Sequence, residues 1–207
     1  MTEFRTEKDS LGEVRVPAQA LYGAQTQRAI DNFQFSGITL PGGFISSLGL
    51  IKAAAARANA DVGLLESTVA DGIAAAAMSI SNGVHHDQFP VDVFQTGSGT
   101  STNMNANEVI ATLASQQLEM PVHPNDHVNC SQSSNDVIPT AIHVSAELAL
   151  ENLLLPAIAH LASVIAAREE RSTGLIKTGR THLMDAMPIS LAQEFSGWRA
   201  QITLGAQ

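Results

Sequence analysis

The stretch His123-Pro124-Asn125-Asp126-His127-Val128-Asn129-Cys130-Ser131-Gln132-Ser133-Ser134-Asn135-Asp136 decides how the rest of this sequence is interpreted. It is almost wholly polar, and a long apolar run starts directly after it at Val137. Asn135 or Asp136 is suited to cap that run as the start of a helix. Helix starts carry unpaired N–H groups and a partial positive charge, so the hydroxyls and the amide at 133–135 predict an anion site. An ordinary capped loop is the alternative.

The run that follows Val137 is apolar on nearly every side of the predicted helix. A helix of this kind is usually enclosed by other helices, and in a chain of this size those helices plausibly come from other subunits. Pro156 is either a kink in this helix or the first residue of a second helix that continues to about Arg171.

The remaining sequence predicts a mainly α fold with a small N-terminal β-hairpin at residues 3–16. Alanine is abundant and aromatic residues make up only 4% of the chain, which favours helices packed closely against helices. A capping box, Ser190-x-x-Gln193, opens a last helix, while Leu175–Thr178 is predicted to be extended and 179–186 to be a loop. The other helices are predicted at Ala24–Asn32, Phe44–Ala60, Ser67–Ser81 and from Ser101 or Thr102 to Gln117.

Charge and cysteine content narrow the possible functions. A formal net charge of −9 argues against general nucleic-acid binding and against binding to anionic membranes. Cys130 is the single cysteine, so the chain has no internal disulfide and no cysteine-held iron–sulfur cluster. The segment Met1–Arg5 shows no signal peptide, and no run is judged long and apolar enough to cross a bilayer. These features predict a cytoplasmic protein.

A metal site is not expected from this sequence. His85, His86 and Asp87 are adjacent, and three consecutive residues rarely converge on one ion. His143 and His160 lie on predicted helices and are expected to be packed or partly exposed.

Three polar loops have a similar composition and a similar position in the sequence. Ser98-Gly99-Thr100 and Ser133-Ser134-Asn135 each precede a helix, and Thr181-His182 lies a few residues before another. If they converge, their neutral donors suit the carboxylates of a small dicarboxylate. His182 is the titratable side chain of these loops with a reference pKa near ~6.5, which suits proton transfer at neutral pH. A structural role for this histidine is the alternative.

Three long motifs, in this order, resemble the fumarase/aspartase superfamily and most closely the class II fumarate hydratases. The first is Gly97–Glu108, with the sequence GSGTSTNMNANE, the second is the opening stretch, and the third is Gly179–Pro188, with the sequence GRTHLMDAMP. Tyr22–Ala29 matches as well, so the resemblance covers essentially the whole chain.

The resemblance implies an all-α fold in which long central helices of four subunits form a shared bundle. Residues 1–134 are expected to form an N-terminal lyase domain, and residues 135–207 the beginning of the central bundle domain. The implied activity is that of a metal-independent hydro-lyase of the tricarboxylic acid cycle, which reversibly hydrates fumarate to L-malate without a cofactor. The implied partners are the dicarboxylate and three further copies of the chain, with each active site built from three subunits.

Roles for individual residues follow from the same resemblance. The substrate carboxylates are expected to bind the seven residues Ser98, Gly99, Thr100, Ser133, Ser134, Asn135 and Thr181. His182 is expected to transfer protons together with a bound water. A second anion site outside the catalytic pocket is expected at His123, Pro124, Asn125 and Asp126.

Two departures from the family pattern stand out. The family often has an arginine just before the His-Pro-Asn-Asp segment, whereas here Met120 lies three residues before His123. The family's Gly-Ser-Ser loop, whose serine is taken as the catalytic base, is absent. Because the last predicted helix also has no stop signal, we expect this chain to be an N-terminal fragment that is inactive alone.

Two other interpretations remain open. Aspartate ammonia-lyases are similar in all three motifs, but they typically have Gln, Ala and Thr at the positions of His182, Ser98 and Ser134. Water addition needs a group that exchanges protons with water, which His provides and Gln does not. The chain alone could also be a non-catalytic oligomerisation module.

Overall fold

The computed structural model describes residues 3–207; Met1 and Thr2, part of the segment used to predict location, lie outside the described residues. The prediction of a mainly α fold is confirmed, because these residues form seven α-helices and two small antiparallel sheets of two strands each. The chain divides into two compact units, one ending at Ser145 and the other comprising Ala146–Gln207.

The first unit begins with a β-hairpin and continues with helices. Its elements are β1 (Phe4–Asp9), β2 (Gly12–Pro17), α1 (Ala24–Asn32), α2 (Gly42–Asp61), α3 (Ser67–Ser81), α4 (Thr100–Leu118) and most of α5 (Ser134–Ala149). The predicted N-terminal hairpin is present, and it pairs Phe4 with Pro17 and Asp9 with Gly12. Arg28 of α1 donates two hydrogen bonds of 2.9 Å to the Asp9 carboxylate, so an ion pair ties the hairpin turn to α1.

The hydrophobic core of the first unit lies among α2, α3 and α4. Leu48, Ile73 and Val109 are completely buried there, one from each helix. Gly49 allows α2 to approach α3 closely, because a Cβ atom at this position would lie 2.5 Å from the Ala77 carbonyl oxygen. Small residues therefore set the distance between these two helices, as the alanine-rich composition suggested.

Glu108, in the middle of α4, anchors the start of α1. Its carboxylate accepts hydrogen bonds from the backbone N–H groups of Gly23, Gln25 and Thr26 and from the Thr26 hydroxyl, at 2.6–3.1 Å. A buried carboxylate needs partners of this kind, and the first N–H groups of a helix are unpaired donors. Glu108 thus replaces the side-chain cap that α1 lacks.

Most helix bounds agree with the predictions. Helices α1 and α3 begin and end at the predicted residues, while α2 and α4 each extend by one or two residues at their ends. Pro41 takes the N-cap position of α2, which explains its earlier start at Gly42.

The polar stretch before α5 contains a short turn and the cap of that helix. Pro124–Val128 forms one π-helical turn, because the His123 ring accepts the N–H groups of Asn125 and Asp126 and so caps a turn there. Helix α5 begins at Ser134, and Ser133 provides the cap through a 3.3 Å hydrogen bond from the Asn135 N–H. The predicted caps, Asn135 and Asp136, are therefore already helical.

The second unit contains the end of the long helical run and a second hairpin. Its elements after α5 are a π-helical turn at Leu150–Leu154, α6 (Leu155–Arg171), β3 (Ile176–Thr181), β4 (Met184–Ser190) and α7 (Leu191–Gly205). Pro156 lies in the first turn of α6, where a missing N–H is tolerated, but α6 begins one residue earlier at Leu155 and the helical run Ser134–Arg171 continues through the proline. Ser190 and Gln193 form the predicted capping box.

The helical run Ser134–Arg171 is also long and apolar enough to cross a membrane, judged by length and composition only. Its 38 residues include a segment with a mean hydropathy of 1.7. The prediction that no run reaches this length is wrong, because neither Pro156 nor the single charge of Glu151 interrupts the helix. A core helix of a soluble protein meets the same criterion, so one such helix is weak evidence for a membrane-spanning segment.

Residues 179–186, predicted as a loop, instead belong to the hairpin of β3 and β4. Thr181 pairs with Met184, leaving His182 and Leu183 as a two-residue turn with φ of 51° and 60°. Glycine and asparagine dominate such turns, and neither occurs at these two positions, so no local pattern indicates the turn. Gly179 sits at the irregular pair of the ladder, where a Cβ atom would lie 2.6 Å from the Met187 carbonyl oxygen.

Candidate functional site

The loop before α4 packs directly onto the start of α5. Gly99 adopts φ +67°, and a Cβ atom there would lie 3.0–3.2 Å from three carbon atoms of Ile138. Glycine is needed on both counts, because other residues are strained at this φ and the space is already filled. Two of the three predicted loops, 98–100 and 133–135, are thereby brought to the same side of the first unit.

The start of α4 is fixed by a glutamine that the sequence analysis did not single out. Gln95 accepts a 2.9 Å hydrogen bond from the Thr102 N–H and donates one of 2.5 Å to the Thr102 hydroxyl. Ser98 and Thr100 are exposed, and their hydroxyl oxygens lie 3.0 Å apart. The hydroxyls that the sequence predicted as carboxylate donors are therefore open to solvent on a rigid loop.

Asn103 connects the two loops through hydrogen bonds. Its amide nitrogen donates to the Ser134 hydroxyl oxygen at 2.9 Å and to Asn129 Oδ1 at 3.2 Å. Asn103 is buried, and its own Oδ1 has no hydrogen-bond partner among the described residues. Ser134 is half-buried and held by this bond, whereas Ser133 and Asn135 are exposed.

A cavity of about 320 Å³ lies beside the 97–99 loop. Its lining is mostly apolar, with Phe44, Ile138 and Ile142 on one side and Gln95 and Thr102 among the polar groups. Cavities of this size suit small ligands. Because the 133–135 residues are not part of its lining, the cavity adjoins the predicted site and does not contain it.

Lys52 is a second functional candidate that sequence reasoning missed. Its ammonium group donates to Asn129 Oδ1 at 3.0 Å and to Gln132 Oε1 at 2.9 Å. Burial lowers the pKa of this lysine from 10.5 to about 7, because the charged form is deprived of water. Its position on a helix with an apolar face was the one available signal, since a lysine there is either exposed or buried for a reason.

Thr181 and His182 lie in the second unit, at the turn between β3 and β4. Both are exposed, and the neighbouring Leu183 is fully exposed. His182 adopts φ 51°, a conformation that costs free energy in a residue other than glycine. The structure thus presents this imidazole at the tip of a hairpin, while the other predicted loops belong to the first unit.

The residues predicted as a second anion site are arranged around the turn at Pro124–Val128. His123 Nδ1 accepts the N–H groups of Asn125 at 3.3 Å and Asp126 at 3.1 Å, so this nitrogen carries no proton in that arrangement. The 3.2 Å approach of Asp126 Oδ2 to the same nitrogen is then a contact and not a hydrogen bond. His123, Pro124 and Asn125 line a cavity of about 920 Å³.

The basic side chains of Arg5 and Arg28 also line this larger cavity. Each is paired with a carboxylate, Arg5 with Glu7 and Arg28 with Asp9. Within residues 3–207 no group of three or more His, Cys, Asp or Glu side chains is placed to hold a metal ion.

Comparison with known proteins places the chain in a family. A family model described as lyase matches residues 12–207. The chain belongs to this lyase family. A class II fumarate hydratase of Xylella fastidiosa is 59% identical over 199 residues, which cover 96% of this chain and 42% of that protein. A class II fumarate hydratase of Halobacterium salinarum is 56% identical over 208 residues, covering 98% of this chain and 44% of that protein.

A solved structure of this lyase family supports the fold. The class II fumarase of Schistosoma mansoni superposes with a TM-score of 0.94 at 40% sequence identity, covering 99% of this chain and 44% of that one. The resemblance to class II fumarate hydratases is thereby confirmed. The chain spans less than half the length of each of these relatives.

Proposed function

We propose that the protein to which this chain belongs is a fumarate hydratase, which adds water reversibly to fumarate to give L-malate. Two relatives that are named class II fumarate hydratases are 59% and 56% identical to this chain, and the proposal assigns the activity in their names to this protein. It assigns substrate-carboxylate binding to Ser98, Gly99, Thr100, Ser133, Ser134, Asn135 and Thr181, and no metal or cofactor takes part.

One observation in the first unit carries the proposal. The 98–100 and 133–135 loops stand at the starts of two helices that are joined by the Asn103–Ser134 hydrogen bond and by the Gly99–Ile138 contact. Each helix start offers N–H groups and short hydroxyls, which favour negative charge. Two such starts side by side suit a ligand with two carboxylates better than they suit a neutral one.

His182 is the proposed proton-transfer group. Its exposure at a hairpin tip lets the imidazole ring meet a water or a substrate that other parts of the complete protein hold. The hairpin ladder on both sides fixes the backbone of the turn, which is the rigidity that a positioned acid or base needs.

The finer parts of the proposal concern the assembled protein. We propose a homotetramer with active sites shared between subunits, a cytoplasmic location and a place in the tricarboxylic acid cycle. The division into an N-terminal lyase domain at 1–134 and a bundle domain from 135 belongs to the same proposal. The second anion site at His123, Pro124, Asn125 and Asp126 does too.

The test is a chimeric protein in which this chain is continued by the remaining part of the Xylella fastidiosa relative. The purified chimera is supplied with L-malate, and fumarate formation is followed by its ultraviolet absorbance. We expect turnover with L-malate and none with L-aspartate, which an aspartate ammonia-lyase would convert to fumarate instead. A folded chimera that acts on neither substrate, or on L-aspartate alone, would overturn the proposal.

The 207-residue chain without the added part is the matched control. It carries the proposed carboxylate donors and His182, but we expect no turnover from it. Activity of the chain alone would show that these loops suffice, and the non-catalytic interpretation of the chain would then be wrong.

A further inference from the structure

Packing alone does not require a lysine at the buried position 52 of the first unit, so we expect its charge to have a role. Lys52 lies in the middle of α2 and is 0% exposed, the largest of the fully buried side chains. A methionine or leucine would fill similar space without loss of hydration, and a buried cation is costly unless it is paired. Its two partners, Asn129 and Gln132, are both neutral amides.

The ammonium group determines how those two amides are oriented. Both turn their oxygen toward Lys52, so their nitrogens point back to the chain. Asn129 Nδ2 donates to the Gln132 carbonyl at 3.2 Å, and Gln132 Nε2 donates to the carbonyls of Val128 at 2.9 Å and Cys130 at 3.1 Å. The turn they hold includes a non-glycine residue with φ +59°, Ser131. Lys52 therefore stabilises the backbone that delivers the chain to Ser133.

A second path leads from Lys52 to the same loop. Asn129 Oδ1, which accepts from Lys52, also accepts from Asn103 at 3.2 Å, and Asn103 donates onward to the Ser134 hydroxyl at 2.9 Å. Two neutral side chains thus separate the buried cation from a proposed substrate ligand. Such a connected network is cooperative, and its members orient one another.

No carboxylate of the described residues compensates the charge. The titratable groups on the elements around Lys52 are all exposed, engaged elsewhere or outside hydrogen-bond distance of its ammonium nitrogen. They are Arg57 and Asp61 on α2, Asp71 on α3, Glu108 on α4 and Glu119 directly after it, His123, Asp126, His127 and Cys130 in the polar stretch, and Asp136, His143 and Glu147 on α5. The first unit therefore buries a cation next to the place where we propose that a dianion binds.

We propose that Lys52 is a positioning residue of the dicarboxylate site, which aligns the 129–135 segment and places a buried positive charge two side chains behind Ser134. This inference rests on the proposed function, because it names the residue that makes the same site selective for dianions. The proposal predicts a pH dependence of dianion binding. If the ammonium favours the dianion, the affinity for the dianion is highest when Lys52 is protonated and falls as the pH rises past the pKa of Lys52.

The first experiment needs only the 207-residue chain. Lysine is labelled with ¹³C at Cε, and the three lysine resonances are followed by NMR between pH 5 and pH 11. We expect one resonance to titrate near pH 7 and to be missing from the Lys52→Met variant. The amides of Ser134 and Asn135 should shift with the same midpoint in the wild type and lose that step in Lys52→Met.

Arg57→Met is the matched control, because it removes an exposed cation from the same helix. It should retain the step, which shows that the step needs Lys52 itself and not just any positive charge on α2. A Lys52 resonance that titrates above pH 9, or Ser134 and Asn135 amides that do not follow it, would overturn the proposal.

The second experiment uses the active chimera. Lys52→Met should raise the KM for L-malate by about tenfold, within the usual range of coupled sites, and change kcat much less. The rise of KM with pH around pH 7 should disappear in the variant and persist in Arg57→Met. A role in folding alone would lower kcat through loss of folded protein and leave KM and its pH dependence unchanged.

Asn129→Asp is the second variant, for the case that Lys52→Met does not fold. It retains the lysine but sets a carboxylate against the ammonium, which should raise the pKa of Lys52 and increase KM. An unchanged KM in this variant would contradict the proposal. If the chimera has no hydratase activity at all, the proposed function fails, while the NMR titration still decides the role of Lys52.

Discussion

The two units of this chain differ in whether they can bury their own apolar side chains. Every buried hydrophobic residue of the described chain lies at or before Ala141, and α2, α3 and α4 enclose most of them. In residues 146–207 the buried positions are Ser172 and Gly179, while Leu153, Met187 and Leu204 are more than 60% exposed. The first unit therefore has a hydrophobic core of its own, whereas the second leaves large apolar side chains exposed.

The same contrast separates the proposed functions of the two units. The first unit holds its donors on a rigid frame of buried hydrogen bonds, whereas the second presents His182 on an exposed hairpin. We therefore expect substitutions in the first unit to change stability and binding, and substitutions in the second to change catalysis or assembly. The predictions below test that separation.

The largest effect is expected at the hairpin tip. In the active chimera, His182→Asn should lower kcat by about 10²–10⁴-fold, or roughly 3–5 kcal/mol of barrier, because a positioned acid–base group is lost. Thermal unfolding should change little, since the side chain is exposed. Steady-state kinetics and a melting curve measure both; a turnover number near that of the wild type would remove His182 from the mechanism.

A core truncation should show the difference in packing directly. Leu48→Ala should cost about 2–5 kcal/mol of unfolding free energy, because a completely buried side chain leaves a cavity. Leu153→Ala, at a position 70% exposed within the chain, should cost less than about 0.5 kcal/mol. Urea unfolding of the 207-residue chain measures both. Equal losses would mean that Leu153 is already covered in solution, and light scattering would then show an oligomer.

The buried lysine gives the first unit a stability that depends on pH. The pKa of Lys52 is lowered from 10.5 to about 7, so between these values the unfolded chain binds more protons than the folded one. The unfolding free energy should therefore rise with pH by up to about 1.4 kcal/mol per pH unit from pH 7 upward, and be lowest below pH 7. Urea unfolding at several pH values should show this slope in the wild type and lose it in Lys52→Met. A slope retained by Lys52→Met would assign it to another group.

Alanine substitutions at two helical glycines should change the stability of the chain in opposite directions. Gly49→Ala should destabilise the chain by about 1–3 kcal/mol, because the added Cβ meets the α3 backbone at 2.5 Å. Gly197→Ala, on α7 with no atom within 4 Å of the added Cβ, should stabilise it by about 0.5–1 kcal/mol through helix propensity alone. Melting temperatures of the two variants give the comparison. A loss of stability in Gly197→Ala would indicate that α7 is packed against another molecule.

Much of the first unit could be predicted because its signals are local. Pro41, Gly63 and Gly83 mark where helices start and stop, and Asp9 and Gly12, which flank the turn between β1 and β2, are common turn residues. The second hairpin was missed because His182 and Leu183 are not turn-forming residues, and the ladder that forces them into the turn is set by pairs further along the chain.

The site was predictable only in part. Short hydroxyls and glycines at 98–100 and 133–135 follow from residue types next to helix starts. Lys52, Gln95 and Asn103 support these loops from positions up to 80 residues away, and no local pattern shows that a polar side chain on a helix points inward.

The carboxylate of Glu108 also bears on the order in which this protein forms. The backbone groups that it binds at the start of α1 lie 82 to 85 residues earlier in the chain. During synthesis, α1 leaves the ribosome well before its anchor exists, and at ~5–20 residues per second that delay lasts several seconds. We expect the first helix to remain frayed on the nascent chain until α4 emerges, because its anchor is synthesised only after α2 and α3.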